Sequence, residues 1–92
     1  MSDMTIRDPD AMERFADEID EYCETMKVVC NELKSGLSSA SPMMKDRLSS
    51  KALQRIETLV DDLISGLPEA QGAADKLRSA AKPLKQARSL SL

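Results

Sequence analysis

Residues 12–33 read MERFADEIDEYCETMKVVCNEL, and an apolar side chain returns there every seven residues. One line is formed by Met12, Ile19, Met26 and Leu33, and a second by Phe15, Tyr22 and Val29, three residues after the first three. Alternating steps of three and four residues place both lines on one face of an α-helix. The stretch therefore predicts a long amphipathic helix that packs against other helices.

The second half of the chain repeats this pattern after a stretch rich in serine. In each half a third apolar line runs beside the first two. The resulting stripe is too broad to be covered by contact between two helices alone. We therefore expect an all-α fold in which an antiparallel two-helix hairpin dimerises, with itself or with a similar hairpin, into a four-helix bundle. The first two lines of the second half are Ile56, Leu63, Ala70, Leu77, Leu84 and Ala52, Leu59, Ala73, Ala80, Ala87; the third lines of the two halves are Ala16, Cys23, Cys30, Leu37 and Leu53, Val60, Leu67, Ala74, Ala81.

The start and end of the first helix follow from local signals. Asp8 can cap the free N–H groups of a helix, and Pro9 fits the first helical position. Gly36 can adopt the left-handed conformation that ends a helix. We therefore expect the first helix over about 9–35, followed by a connector over 36–41.

The second helix is expected over about 42–87, with Ser41 as its cap and a loose tail at 88–92. Within it, Gly66–Pro68 resembles a helix stop, and a proline inside a helix removes a backbone hydrogen bond and bends the helix. Because the seven-residue phase continues across this segment, we prefer one long helix with a kink near 66–68. The alternative is a three-helix bundle with a break at Gly66–Pro68.

Composition limits the chemistry that this chain can perform. Its 92 residues suffice for one domain, and aromatic residues make up only 2% of them. The chain contains no histidine, so neither histidine ligands for a metal nor a histidine general base is available. The acidic cluster around Asp17, Asp20, Glu21 and Glu24 is therefore interpreted as a solvated helix face. We expect no enzyme, no cofactor, no metal site and no small-molecule substrate.

Charge is distributed unevenly along the sequence. Residues 1–24 hold nine acidic side chains against two arginines, whereas residues 76–92 hold five basic side chains and no acidic one. Folding the chain back on itself antiparallel would bring these two regions together. The charges therefore predict an antiparallel orientation, and this role for the basic stretch makes nucleic-acid binding the weaker alternative.

The sequence also suggests where the protein is found. No apolar run approaches the roughly 20 residues that a membrane span needs, and the acidic start lacks the apolar core of a secretory signal. We expect a cytoplasmic protein without a membrane span, for which export by a route independent of a signal peptide remains open. Cys23 and Cys30 lie two helical turns apart, too far for a disulfide within the helix, and are expected to serve packing, with a bridge between protomers or a reactive thiol as the alternative.

Length, capping and heptads together resemble a known family. The stretch Asp8-Pro9-Asp10-Ala11-Met12-Glu13-Arg14-Phe15-Ala16 and the segment Ser41-Pro42-Met43-Met44-Lys45-Asp46 are similar to the WXG-type small helical-hairpin proteins, the early-secreted-antigen-like substrates of type VII secretion. Two departures are evident: the Trp-x-Gly tripeptide is missing at the connection, and the C-terminal Tyr-x-x-x-Asp/Glu export signal is absent. The resemblance implies dimeric four-helix bundles that act as export substrates or helical adaptors, with Met43 and Met44 at the recognition position.

These observations predict a non-enzymatic module that works by protein–protein contact. The partners expected are a second copy or a similar hairpin, together with the secretion machinery. The alternative is a cytoplasmic adaptor or secretion chaperone that holds a client helix on the same face. Assembly is assigned to Met12, Phe15, Ile19, Tyr22, Met26, Val29, Leu33, Ile56, Leu59, Leu63, Leu77 and Leu84, and partner recognition to Met43 and Met44.

Overall fold

A computed structural model describes residues 8–90, which form two long helices and no strand. Helix α1 spans Pro9–Ala40, a 3-10 turn spans Ser41–Met43, and helix α2 spans Arg47–Leu90. The all-α class predicted from the sequence is confirmed, and the arrangement is consistent with a helical hairpin.

The start of α1 confirms the predicted cap. The Asp8 side chain accepts hydrogen bonds from the backbone N–H groups of Asp10, at 3.0 Å, and Ala11, at 3.3 Å. These are two of the donors that a helix leaves without partners at its N-terminus. Pro9 begins the helix at the position where a missing N–H has no consequence.

The predicted stop at Gly36 is wrong, because α1 continues through it to Ala40. None of the three glycines has a positive φ, so Gly36 is an ordinary helical residue. Glycine in a helix costs only about 1 kcal/mol relative to alanine, which neighbouring turns can offset. The helix ends two residues before Pro42, since proline has no N–H to donate to the carbonyl of Ser38.

Helix α2 begins later than predicted, and its cap is Asp46 rather than Ser41. The carboxylate of Asp46 accepts a hydrogen bond from the N–H of Ser49 at 2.9 Å. Hydrogen bonding by the backbone N–H and by the side chain of Ser49 holds the pKa of Asp46 below its usual value. Ser41 and Pro42 belong instead to the 3-10 turn.

Helix α2 passes through Gly66–Pro68 without a break, so the three-helix alternative is wrong. Pro68 cannot donate a helical hydrogen bond, and its neighbour Leu67 is buried in the core of the second unit. The kink near 66–68 stays a prediction. Residues 88–90 of the expected loose tail are helical, and residues 91 and 92 lie outside the described part of the chain.

The described residues form two compact units, and each pairs a segment of α1 with a segment of α2. The first unit contains 8–22 and 69–90, and the second spans Cys23–Pro68. In the first unit Glu13 pairs with Lys85 and Asp20 with Arg78. Residues of increasing number on α1 therefore pair with residues of decreasing number on α2. The two segments of the first unit therefore run antiparallel, as predicted.

The core of each unit is built from the third apolar line of each helix. In the first unit the buried residues of this line are Ala16, Ala74 and Ala81; in the second they are Cys23, Cys30, Val60 and Leu67. The Cys23 thiol also lies 3.8 Å from the carbonyl oxygen of Leu67, to which it donates a weak hydrogen bond. Most of these side chains are small, so the helices pack through the narrowest of the three lines.

Candidate interaction surface

The larger apolar side chains lie beside this core rather than in it. Seven of them are between 40% and 58% exposed: Phe15, Tyr22, Val29, Leu33, Ile56, Leu59 and Leu63. A further five are half-buried: Met12, Ile19, Met26, Leu77 and Leu84. These twelve residues are the ones to which the sequence assigns assembly, and we call the members within each unit its open face. Their role in assembly stays a prediction, but their position leaves them accessible to a partner.

The open face of the first unit combines large and small side chains. On α1, Phe15 and Tyr22 each expose more than half of their surface. On α2, Ala70 and Ala73 offer only methyl groups, and together with Ile19 they line a shallow apolar groove beside the two aromatic rings. This unit therefore presents an aromatic ridge next to an alanine groove.

In the second unit large side chains come from both helices. Val29 and Leu33 stand on α1, and Ile56, Leu59 and Leu63 stand on α2. None of these five is buried, although the same unit buries Val60 and Leu67 on the neighbouring line. The second unit thus leaves five large aliphatic side chains between 40% and 58% exposed.

Charged residues occupy the other side of the buried line in the first unit. Arg78 contacts two carboxylates of α1, with Nη2 2.8 Å from Asp17 Oδ1 and 2.6 Å from Asp20 Oδ2. Lys85 Nζ lies 2.8 Å from Glu13 Oε1. These contacts raise the pKa values of both Arg78 and Lys85, since each cation gains a hydrogen-bonded anion. The charge pairing predicted from the sequence is confirmed.

Arg88 completes this charged edge near the start of α1. Its guanidinium forms two hydrogen bonds with the carboxylate of Asp10, at 3.1 and 3.3 Å. The same contact lowers the pKa of Asp10 and raises that of Arg88. In the second unit, Lys34 and Asp61 pair similarly at 3.0 Å. The C-terminal basic stretch is therefore largely engaged within the fold.

The two cysteines serve packing, as expected. Cys23 and Cys30 are fully buried, and neither forms a disulfide. Burial of a thiol in apolar surroundings is typical of a structural cysteine rather than a reactive one.

The connection between the helices exposes the two methionines that the sequence singles out and one residue that it misses. Met43 is 80% exposed and Met44 is 43% exposed, so both are accessible. Leu48, in the first turn of α2, is also 80% exposed. Leu48 belongs to none of the three apolar lines, and this departure from the pattern is the signal that would have identified it.

Within residues 8–90, no three cysteine or acidic side chains converge to hold a metal ion. In that same range no helix has both the length and the apolar character needed to cross a membrane. No protein-family model matches the sequence, and we found no significant match among curated proteins or solved structures.

Proposed function

We propose that this protein is a non-enzymatic helical module that works by protein–protein contact, and that its open face binds a second copy of the same chain. The observation that carries the proposal is the inverted distribution of its apolar residues. Small side chains fill most of the core, whereas Phe15, Tyr22, Leu59 and Leu63 remain about half exposed. A folded chain rarely leaves so large an apolar area without a partner.

Burying the open face would offset the cost of association over nearly all of its estimated range. Covering the exposed half of a large apolar side chain contributes about 1 kcal/mol, because complete burial contributes about 1.5–3 kcal/mol. For the seven most exposed residues this amounts to about 7 kcal/mol for each protomer. Two protomers together gain about 14 kcal/mol, against an association cost of about 4–15 kcal/mol.

The shape of the first unit favours a second copy over an unrelated helix. In a twofold dimer the same patch faces itself, so each protomer must supply both a projection and a recess. Phe15 and Tyr22 provide the projection, and the groove at Ala70 and Ala73 provides the recess. We propose that the aromatic ridge of each protomer packs into the alanine groove of the other, giving a four-helix bundle.

The class of protein that fits this proposal best is the WXG-type helical hairpin of type VII secretion. The support is the confirmed Asp8-Pro9 start, the two long helices and the exposed Met43 and Met44 at the connection. On this proposal the protein is made in the cytoplasm and is an export substrate or a helical adaptor, and the methionines contact the secretion machinery. The alternative is a chaperone or adaptor whose open face holds a client helix.

Light scattering of the purified chain separates the two. A stable particle of twice the 10.1 kDa chain mass supports self-association. A clean monomer at micromolar concentration contradicts it and favours the client-helix alternative. Nucleic-acid binding is a weaker candidate, because Arg78, Lys85 and Arg88 already pair with acidic residues of α1.

Ala73→Phe tests the fit of ridge and groove. Ala73 is exposed in the single chain, so the larger side chain leaves folding intact but fills the recess that Tyr22 would enter. We expect a dimer at least about tenfold weaker, corresponding to about 1.4 kcal/mol. The matched control is Ser79→Phe, at an exposed position of the same helix away from the open face. Equal dimer strength in the two variants would contradict the proposed fit.

A further inference from the structure

The connection between the helices brings exposed apolar and basic side chains together. Met43 and Leu48 are each 80% exposed. The cations Lys45, Arg47 and Lys51, all exposed, lie among them in the sequence. We call these five residues, together with Arg55, the connector patch.

Helical spacing places the α2 part of the patch on one face. Leu48, Lys51 and Arg55 are separated by three and four residues in the first turns of α2, so they are neighbours on its surface. Leu48 and Arg55 lie beside the second apolar line, because each precedes one of its residues, Ala52 or Leu59, by four positions. Lys51 has no residue of an apolar line three or four positions away, so a second copy on the open face leaves it accessible.

The cations of the patch are unengaged within the described residues. In the range 8–90, none of Lys45, Arg47, Lys51 and Arg55 has a carboxylate within salt-bridge distance. The basic residues Arg78 and Lys85, by contrast, each contact an acidic partner.

Charge is also locally reversed at the patch. Residues 43–55 hold four basic side chains and one acidic one, in a chain whose net charge is −3. The acidic one is Asp46, and its carboxylate is held by the N–H of Ser49 as the cap of α2. The patch is thus a basic site, with two projecting apolar side chains, on an otherwise acidic protein.

We propose that the connector patch binds an anionic membrane surface. Cations attract acidic lipid headgroups, and side chains such as Met43 and Leu48 can enter the boundary between headgroups and acyl chains. The patch contains no aromatic side chain for stacking on nucleic-acid bases. Its residues also do not line the groove next to the connection, which is bordered by Leu37 and Leu53, so the patch presents projecting side chains rather than a recess. Charge and projecting apolar groups without a recess fit a lipid surface.

Co-sedimentation with vesicles tests the proposal on the full chain. We expect binding to vesicles of phosphatidylcholine with phosphatidylserine, weaker binding as salt is raised, and little binding to phosphatidylcholine alone. Each basic residue near an anionic surface contributes about fivefold in affinity, so Lys45→Gln with Lys51→Gln should weaken binding about 25-fold. The matched control is Lys76→Gln with Lys82→Gln, which removes the same charge elsewhere and should change binding less than about twofold.

Leu48→Ser tests the apolar part of the patch, and we expect it to weaken vesicle binding without changing the helical circular dichroism. The lysine pair should keep the particle mass of the unmodified chain, so failure here is distinguishable from failure of the dimer proposal. The proposal is overturned by equal binding to neutral vesicles, by equal losses in the patch and control pairs, or by no sedimentation with either vesicle. Patch-dependent binding to polyglutamate without vesicle binding would also overturn it, since the partner would then be an acidic protein surface.

Discussion

Aspartate substitutions at Leu63 and Leu67 place the same carboxylate one helical turn apart, in two different environments. Leu63 is 48% exposed on the open face, whereas Leu67 is 6% exposed in the core of the second unit. If the open face is an assembly surface, Leu63→Asp should abolish dimerisation while the chain remains helical. Leu67→Asp should instead unfold the second unit.

The magnitudes follow from burial. Leu67→Asp loses about 3 kcal/mol of apolar burial and adds the desolvation of an unpaired carboxylate, at least about 2 kcal/mol. The total approaches the whole stability of a small domain, about 5–15 kcal/mol. Leu63→Asp loses about 1 kcal/mol of further burial on association and adds a similar desolvation term, about 3 kcal/mol per protomer. A twofold dimer contains two such sites, so its Kd should rise roughly ten-thousand-fold.

Sedimentation velocity measures the particle mass of each variant, and circular dichroism measures its helix content. We expect a helical monomer for Leu63→Asp and, for Leu67→Asp, a large loss of helix content as the second unit unfolds. A Leu63→Asp chain that remains dimeric would show that the open face is misassigned. Equal unfolding by the two variants would show that Leu63 belongs to the core of the single chain.

Three further predictions concern the fold. Asp8→Ala should lower the free energy of unfolding by about 1 kcal/mol in denaturant titration, because the first N–H groups of α1 lose their cap. Stability should be level from about pH 5 to 9 and fall outside that range. The pKa of Asp10 is lowered by Arg88, so its contribution is complete above the ordinary aspartate pKa of about 4 and is lost as pH falls through the lowered value. The pKa of Lys85 is raised by Glu13, so its contribution is complete below the ordinary lysine pKa of about 10.4 and is lost as pH rises through the raised value. Cys23 and Cys30 should react with a thiol reagent only after unfolding, because neither is exposed in the native chain.

Each of these predictions has an outcome that contradicts it. An Asp8→Ala chain as stable as an Asp8→Asn chain would mean that the cap contributes nothing, since asparagine can still accept the hydrogen bonds. A stability profile that changes steeply near neutral pH would point to a titrating group outside the pairs described, because the chain has no histidine. Labelling of Cys23 or Cys30 as fast as that of a free thiol, without denaturant, would mean that the core opens readily.

The sequence predicted the helices well because their signals are local. The Asp8-Pro9 start and the seven-residue lines depend only on neighbours a few positions away. The end of α1 was misplaced because Gly36 is a stop signal only where it takes a positive φ, and here Pro42 ends the helix instead. The start of α2 was misplaced because Ser41 and Asp46 are both acceptable caps, and the 3-10 turn selects the later one.

The choice of core line could not be predicted from periodicity. All three lines have the same seven-residue period, and nothing in that period says which of them faces the other helix. The structure selects the line of Ala16, Cys23 and Ala74, whose small side chains let the helices approach closely. The lines that contain Phe15 and Leu63 therefore lie on the open face. From the sequence, we had expected these larger side chains to pack between the two helices of one chain.

Tyr22 gives the most direct test of the claim that a second copy covers the open face. It is the only tyrosine, the chain has no tryptophan, and its side chain is 58% exposed in the single chain. Acrylamide quenching of its fluorescence therefore reports on this surface alone. We predict weaker quenching in the unmodified protein than in the Leu63→Asp monomer at the same concentration. Equal quenching in the two, at every concentration at which light scattering reports a dimer, would contradict the account.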